Sequence, residues 1–124
     1  MVKEILIDGK PVKFKATAAV PFLYRAKFAR DIMKDLNKLN TAYAKAVKEN
    51  REFEIEDLSI FEQTAYIMAR HADPENIPEN IVDWLDEFET FSIYMVLPTI
   101  LELWGLNQLT TAESKKKLAQ VTGK

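Results

Sequence analysis

The segment from Phe91 to Leu106 constrains the fold of this chain more than any other, because nearly all of its residues are apolar. A helix that is apolar on every side must be covered by a protein core or by a partner. A membrane span needs about 20 uninterrupted apolar residues, and Pro98 and Glu102 interrupt this run. The segment therefore predicts a buried helix, with a kink or break after Leu97 and with Gly105 as the residue that ends it.

The N-terminal residues 2–15 have the pattern of a β-hairpin. Asp8-Gly9 separates two segments in which apolar residues recur, and both turn residues tolerate a positive φ. An isolated hairpin is marginally stable in water. We therefore expect this one to lie on helices or to pair with another chain.

Helical periodicity accounts for most of the remaining chain. One helix is expected from about Pro21 to Leu36. Residues 37–56 stay undecided between a continuation of that helix and an exposed linker. The next helix is predicted to begin at a capping box of Ser59 with Glu62, or alternatively at Asp57.

That helix should end near Asp73-Pro74, because proline disfavours helix in the residue before it. A short acidic helix over residues 81–88 then precedes the apolar segment. The expected fold class is mainly α with a small N-terminal β-hairpin (α+β), a compact bundle of about four to five helices. A chain of 124 residues is long enough for one such domain. We assign it to residues 1–109, and we expect the polar residues 110–124 to be a disordered tail.

Charge is distributed unevenly along the chain. Residues 1–50 carry eleven Lys/Arg and five Asp/Glu, residues 51–109 carry two and thirteen, and residues 110–124 carry four and one. One interpretation is that the basic and acidic parts pair within a single fold. The alternative is that they meet between copies, or that one of them meets a charged partner.

The residue types argue against catalysis, a cofactor and a metal. The chain has no cysteine, three glycines and one histidine, His71. A catalytic zinc site needs three protein ligands, and only Asp73 and Glu75 accompany His71. We expect His71 to be a surface imidazolium favoured by the negative end of its helix. The many carboxylates form no distinctive pair and are expected on the wet faces of amphipathic helices.

Several stretches resemble one family, the small tail assembly chaperones of long-tailed bacteriophages and prophages of Gram-positive bacteria. The likeness spans about residues 5–106 and is one of hydrophobic and aromatic positions. The stretches that carry it are residues 14–19, 24–25, 31–32, 61–70, 84–88, 91–94 and 97–104.

The resemblance implies a protein that is not an enzyme. Members of this family bind the long, largely helical tape measure protein in the host cytoplasm, keep it soluble and help to recruit tail tube subunits. They are absent from the mature virion. Many also exist as a longer, frameshifted form that contacts the tail tube protein. This chain would be the short form, and Lys115-Lys116-Lys117 would be encoded at the slippery tract.

Surplus apolar surface on a helical protein also suits the binding of an amphipathic helix, with copies stacked along it as a homo-oligomer. Trp and Tyr often anchor interfaces. The predicted partner contacts are Trp84, Phe88, Phe91 and Tyr94, with Arg25 and Arg30 for charge matching. The alternative function is that of a cytoplasmic helical adaptor or regulator, which would bind a cellular protein or nucleic acid through its basic first helix.

Overall fold

The computed structural model describes residues 1–106 and contains a two-stranded hairpin and five helices in that range. The fold class expected from the sequence is therefore confirmed. The predicted tail, residues 110–124, lies outside the described residues. The elements are β1 (Val2–Ile7), β2 (Lys10–Lys15), α1 (Ala19–Phe28), α2 (Ile32–Glu49), α3 (Ile55–Ala72), α4 (Ile81–Leu85) and α5 (Ile93–Leu103).

The hairpin forms where the turn signal predicts it. Asp8 and Gly9 have φ values of 55° and 77°, and the antiparallel strands pair from Ile7 with Lys10 to Val2 with Lys15. On the inward face of β2, Val12 and Phe14 are buried. This face covers the helices, with β2 on α3 and β1 on α5.

The predicted helix from Pro21 to Leu36 is wrong, because the chain breaks it into α1 and α2. Ala29 takes a left-handed conformation (φ 56°, ψ 38°), and its N–H still donates to the carbonyl of Arg25. Asp31 then caps α2 by accepting from the N–H groups of Met33 and Lys34. An aspartate N-cap satisfies amides that would otherwise be unpaired, so a new helix begins there. Residues 37–49 continue α2.

Helix α3 begins earlier than the predicted capping box. The box is formed by Glu54 and Asp57, whose side chains accept from each other's backbone N–H, and not by Ser59 and Glu62. Asp57 is thus the third helical residue and not the cap. The C-terminal end of α3 agrees with the prediction, since the helix stops at Ala72 just before Asp73.

The sequence predicts a kink or a break after Leu97, and the break does not occur, because helix α5 runs through Pro98. A proline inside a helix costs about 3 kcal/mol. Burial of Val96, Leu97 and Ile100 offsets that cost, since each buried aliphatic side chain contributes roughly 1.5–3 kcal/mol. Gly105 ends the helix as predicted, at φ 71°.

Two backbone hydrogen bonds complete this end of α5. The N–H of Leu106 donates to the carbonyl of Leu101, and the N–H of Gly105 donates to that of Glu102. These are the two bonds of a Schellman motif, which satisfies carbonyls left free at the helix end.

Helix α3 is the centre of the fold. It packs on β2, α1, α2, α4 and α5. Its fully buried residues include Phe61, Ala65 and Met68. No helix among residues 1–106 is long and apolar enough to cross a membrane.

Candidate functional site

The starts of α3 and α5 both carry exposed apolar side chains. We group five residues, Phe53, Ile55, Leu58, Tyr94 and Met95, under the name α3–α5 surface. The exposed fractions are 84% for Ile55, 39% for Leu58, 53% for Tyr94 and 66% for Met95. The ring of Phe53 meets that of Tyr94 edge-on, with centroids 5.4 Å apart, and this contact joins the two helices' contributions. Clustered exposed apolar side chains commonly mark an interaction site.

The sequence places these residues on the surface for a simple geometric reason. In α5, Ile93, Val96 and Leu97 turn toward the core. Because the helix is apolar on nearly every side, its outer face, which carries Tyr94 and Met95, is left apolar as well.

In α3, Ile55, Leu58 and Glu62 follow one another at i, i+3 and i+7 and therefore share one face of the helix. This face is next to the one that carries Phe61 into the core. Phe61 stacks on Phe91, the residue two before α5, with centroids 5.2 Å apart. The α3 part of the surface is thereby held against the start of α5.

Trp84 does not belong to this surface. It is fully buried, and its predicted role as a partner contact is wrong in this fold. Its ring lies between those of Tyr66, Phe88 and Phe91, with centroids 5.2 to 5.7 Å away. Its indole N–H has no hydrogen-bond partner within residues 1–106. The residue anchors α4 and the following loop to the core.

The other predicted aromatic contacts are divided between core and surface. Phe88 and Phe91 are half-buried and pack on each other and on Trp84. Tyr94 is the most exposed of the four aromatic residues and is the one that lies on the α3–α5 surface. Phe91 borders that surface through its contact with Phe61.

The two predicted arginines behave differently from each other. Arg25 is exposed and lies over the Phe22 ring, 5.6 Å from its centroid. Arg30 instead forms a two-pronged ion pair with the buried Asp35, with N–O distances of 2.8 and 2.9 Å. The contacts of both arginines are made on α1 and α2, so the structure does not join either one to Tyr94.

Asp35 is the centre of a buried polar network. The Tyr24 hydroxyl donates to its carboxylate at 2.6 Å. Burial raises the pKa of Asp35, but the hydrogen bonds from Arg30 and Tyr24 outweigh burial and hold that pKa below 3.8. Burial and the Asp35 charge raise the pKa of Tyr24, and the hydrogen bond to Asp35 raises that of Arg30. The positive charge of Arg30 is therefore already paired with Asp35 and is a poor contact for a partner.

Charges from the basic and acidic parts of the chain meet within the fold. Lys3 pairs with Glu102, and Lys38 pairs with Glu56 at 2.7 Å. These contacts agree with the intramolecular interpretation of the uneven charge. Glu62 is different, because burial raises its pKa and no cation or hydrogen bond from residues 1–106 opposes that effect.

His71 differs from the expected surface imidazolium. It is half-buried, and its Nε2 is 2.9 Å from the Thr17 hydroxyl. Burial and the nearby Lys15 lower its pKa, which favours the neutral ring at pH 7. Within residues 1–106, no group of three or more His, Asp or Glu side chains could hold a metal ion.

The clefts suggest no particular chemistry. One cleft of about 490 Å³ lies between β2 and the end of α3, and its charged lining includes Lys10, Lys13, Asp73 and Glu87. Lysines and carboxylates alternate there, so no single ligand charge is favoured.

Sequence reasoning missed four members of that surface. Phe53 and Ile55 lie in the stretch 37–56 that the sequence leaves undecided, and Leu58 precedes the predicted capping box of Ser59 and Glu62. Met95 was part of a segment expected to be buried. The available signal was the apolar spacing of Ile55 and Leu58 ahead of Glu62, which continues the helix toward its N-terminus.

Comparison with known proteins adds no further constraint. No family model, no curated protein and no solved structure matches this chain. A functional proposal therefore depends on the chemistry of the α3–α5 surface and on the resemblance of the apolar and aromatic pattern.

Proposed function

We propose that this chain is a phage tail assembly chaperone, which binds and solubilises the tape measure protein and helps to recruit tail tube subunits. The observation that carries the proposal is the exposed α3–α5 surface on a small helical domain. The resemblance over residues 5–106 supplies the identity of the client. The proposed location is the host cytoplasm, with the chain absent from the mature virion. Contact with the tube protein is assigned mainly to a frameshift-extended form.

A long amphipathic helix without its assembly partners exposes an apolar stripe and aggregates through it. A surface with apolar residues on two neighbouring helices can cover such a stripe, because stripe residues recur at i, i+3, i+4 and i+7. Ile55 and Leu58 from α3, with Tyr94 and Met95 from α5, provide four apolar positions for this contact.

The size of the surface predicts weak binding by one copy. Full burial of four such side chains would contribute roughly 6–12 kcal/mol at about 1.5–3 kcal/mol each, and they are already partly covered. Association itself costs about 4–15 kcal/mol. Binding by a single copy is therefore weak. Stable coverage of a long client requires many copies bound to neighbouring segments, because their combined affinity exceeds the affinity of each copy.

Co-expression with the tape measure protein encoded nearby in the same genome tests the proposal. We expect the tape measure protein to become soluble, and size exclusion with light scattering to give a complex containing many copies of this chain. If the tape measure protein stays insoluble and this chain elutes alone, the proposal fails. The adaptor or regulator function would then be tested by salt-dependent binding to DNA.

A pair of variants assigns the effect to the surface. Met95→Asp places a charge on the α3–α5 surface and should return the tape measure protein to the insoluble fraction. Phe22→Asp is the matched control, because Phe22 is 63% exposed on α1 and belongs to another surface. Equal loss of solubility with both variants would argue against the α3–α5 surface as the binding site.

A further inference from the structure

Glu62 is a carboxylate beside the α3–α5 surface that has no counter-charge among residues 1–106. It follows Leu58 by four residues and Ile55 by seven, so the three side chains lie along one face of α3. Glu62 is half-buried, and burial raises its pKa. A buried charge costs free energy unless it is paired. Here the fold retains that cost without providing a cation from residues 1–106.

Two of the cations close to the start of α3 already have carboxylate partners. Lys38 binds Glu56 at 2.7 Å, and Arg51 approaches Glu49 at 3.9 Å. Arg70, at the far end of α3, donates to the carbonyl of Ile77. Residues 51–106 otherwise carry acidic charges only. The α3–α5 surface therefore lies in the acidic part of the chain, and Glu62 is the partly buried carboxylate that follows its apolar residues along α3.

We propose that the segment bound at the α3–α5 surface is an amphipathic helix whose apolar stripe is flanked by Lys or Arg, one of which pairs with Glu62. This inference rests on the proposed function, since it specifies the client chemistry at the same surface. The long stems of Lys and Arg cover apolar side chains while their charged ends reach outward. One such residue can therefore extend the apolar contact over Leu58 and bring a cation to Glu62.

The pair acts mainly on the choice and orientation of the client. Complementary charges across an interface suppress wrong partners and speed association, while the apolar contact supplies most of the affinity. A stripe flanked by Glu or Asp would place a like charge against Glu62. A second copy of this chain is a competing occupant, because its basic α2 also offers lysines, and the experiment includes it as an outcome.

Two synthetic helical peptides test the proposal with the full-length chain. Both have the same apolar stripe, one flanked by lysines and the other by glutamates, and binding is followed by fluorescence anisotropy. At low ionic strength we expect the lysine-flanked peptide to bind roughly tenfold more tightly. This preference should shrink as salt is raised, because salt screens partly exposed pairs.

Two substitutions test whether Glu62 causes the preference for the lysine-flanked peptide. Glu62→Gln should remove most of the preference for the lysine-flanked peptide, whereas Glu75→Gln, an exposed acid in the turn after α3, should leave it unchanged. Glu62→Gln should also raise the melting temperature at pH 7. The pKa of Glu62 is higher in the folded state, so ionisation disfavours folding above that pKa, and the amide removes this cost.

The outcomes separate this inference from the proposed function. Equal binding of the two peptides, tighter binding of the glutamate-flanked one, or no response to Glu62→Gln would overturn the inference and leave the co-expression result standing. Binding of neither peptide, with concentration-dependent self-association detected by light scattering, would overturn it in favour of a second copy. Failure of the tape measure protein to become soluble would overturn the proposed function itself.

Discussion

Removal of the Asp35 carboxylate should be among the more destabilising single changes in this protein. Asp35 is 4% exposed and accepts hydrogen bonds from Tyr24 and from both prongs of Arg30. Asp35→Ala leaves the hydroxyl of the fully buried Tyr24 and the guanidinium of Arg30 without this acceptor. Loss of one partner of a buried ion pair costs about 3–5 kcal/mol. We place Asp35→Ala at about 3 kcal/mol, the low end, because the Arg30 side chain is 42% exposed and regains water.

The assay is urea unfolding followed by tryptophan fluorescence, since buried Trp84 reports on the core. For a domain of this size, about 3 kcal/mol corresponds to a fall in melting temperature of roughly 12 °C or more. Asp35→Asn keeps an acceptor for the Tyr24 hydroxyl, so it should lower the free energy of unfolding by less than Asp35→Ala does, by about 1–2 kcal/mol. Glu56→Gln removes an exposed ion pair with Lys38 and is the control, expected to unfold like the wild type.

The pH dependence of the free energy of unfolding should follow from the same network around Asp35. The pKa of Asp35 is lower in the folded state than its ordinary value of 3.8. The ionised Asp35 therefore stabilises the folded state above about pH 4, and this stabilisation is lost as pH falls through the folded-state pKa. Asp35→Asn should flatten this part of the stability curve. If Asp35→Ala unfolds no more easily than Glu56→Gln, the carboxylate is not buried and paired as described, and the reasoning fails.

Three further changes have defined outcomes in the same urea assay. Leu97→Ala should lower the free energy of unfolding by about 2–5 kcal/mol. Met95→Ala, two residues away on the exposed face, should change it by less than about 0.5 kcal/mol. Equal effects would contradict the assigned faces of α5. Gly105→Ala should cost about 1 kcal/mol, because φ is 71° there, and no loss would contradict the helix end described. The pKa of His71 is lowered in the folded state, so the free energy of unfolding should fall as pH drops below about 6.5. His71→Gln should reduce that loss, and an unchanged loss would indicate that the ring is exposed.

Local signals in the sequence predicted the hairpin and several helix ends. Asp8-Gly9 specifies a tight turn from two residues, and Gly105 specifies a helix end from one. The break between α1 and α2 was not predicted, because Ala29 is an ordinary helix former that here takes a left-handed conformation. The chain pattern carries no signal for such a conformation at alanine. Asp31 was the available clue, as a favoured N-cap residue.

The division of apolar residues between core and surface could not be read from spacing. Trp84 and Tyr94 are both aromatic members of apolar helical patterns, yet Trp84 is fully buried and Tyr94 is about half exposed. The difference depends on which elements cover them, and this is set by packing between distant segments. In α5 an apolar pattern on nearly every side gives periodicity no means of choosing the buried face.

The pairing of Arg30 was hidden for a related reason. The sequence shows Arg30 and Asp35 five residues apart, a spacing that does not place two side chains together on one straight helix. The break between α1 and α2 changes their relative positions and brings them into contact. The expectation of one unbroken basic helix therefore did not show that Arg30 is paired with Asp35.

Site-specific photo-crosslinking in the co-expressed complex tests most directly whether the α3–α5 surface binds the tape measure protein. Benzoylphenylalanine replaces Tyr94 in one variant and Phe22, an aromatic residue 63% exposed on α1, in the other. The account predicts crosslinks from position 94 to apolar stripe residues of the tape measure protein, with lysine or arginine nearby, and few from position 22. Crosslinks from position 22 alone, or equal crosslinking from both positions, would contradict it.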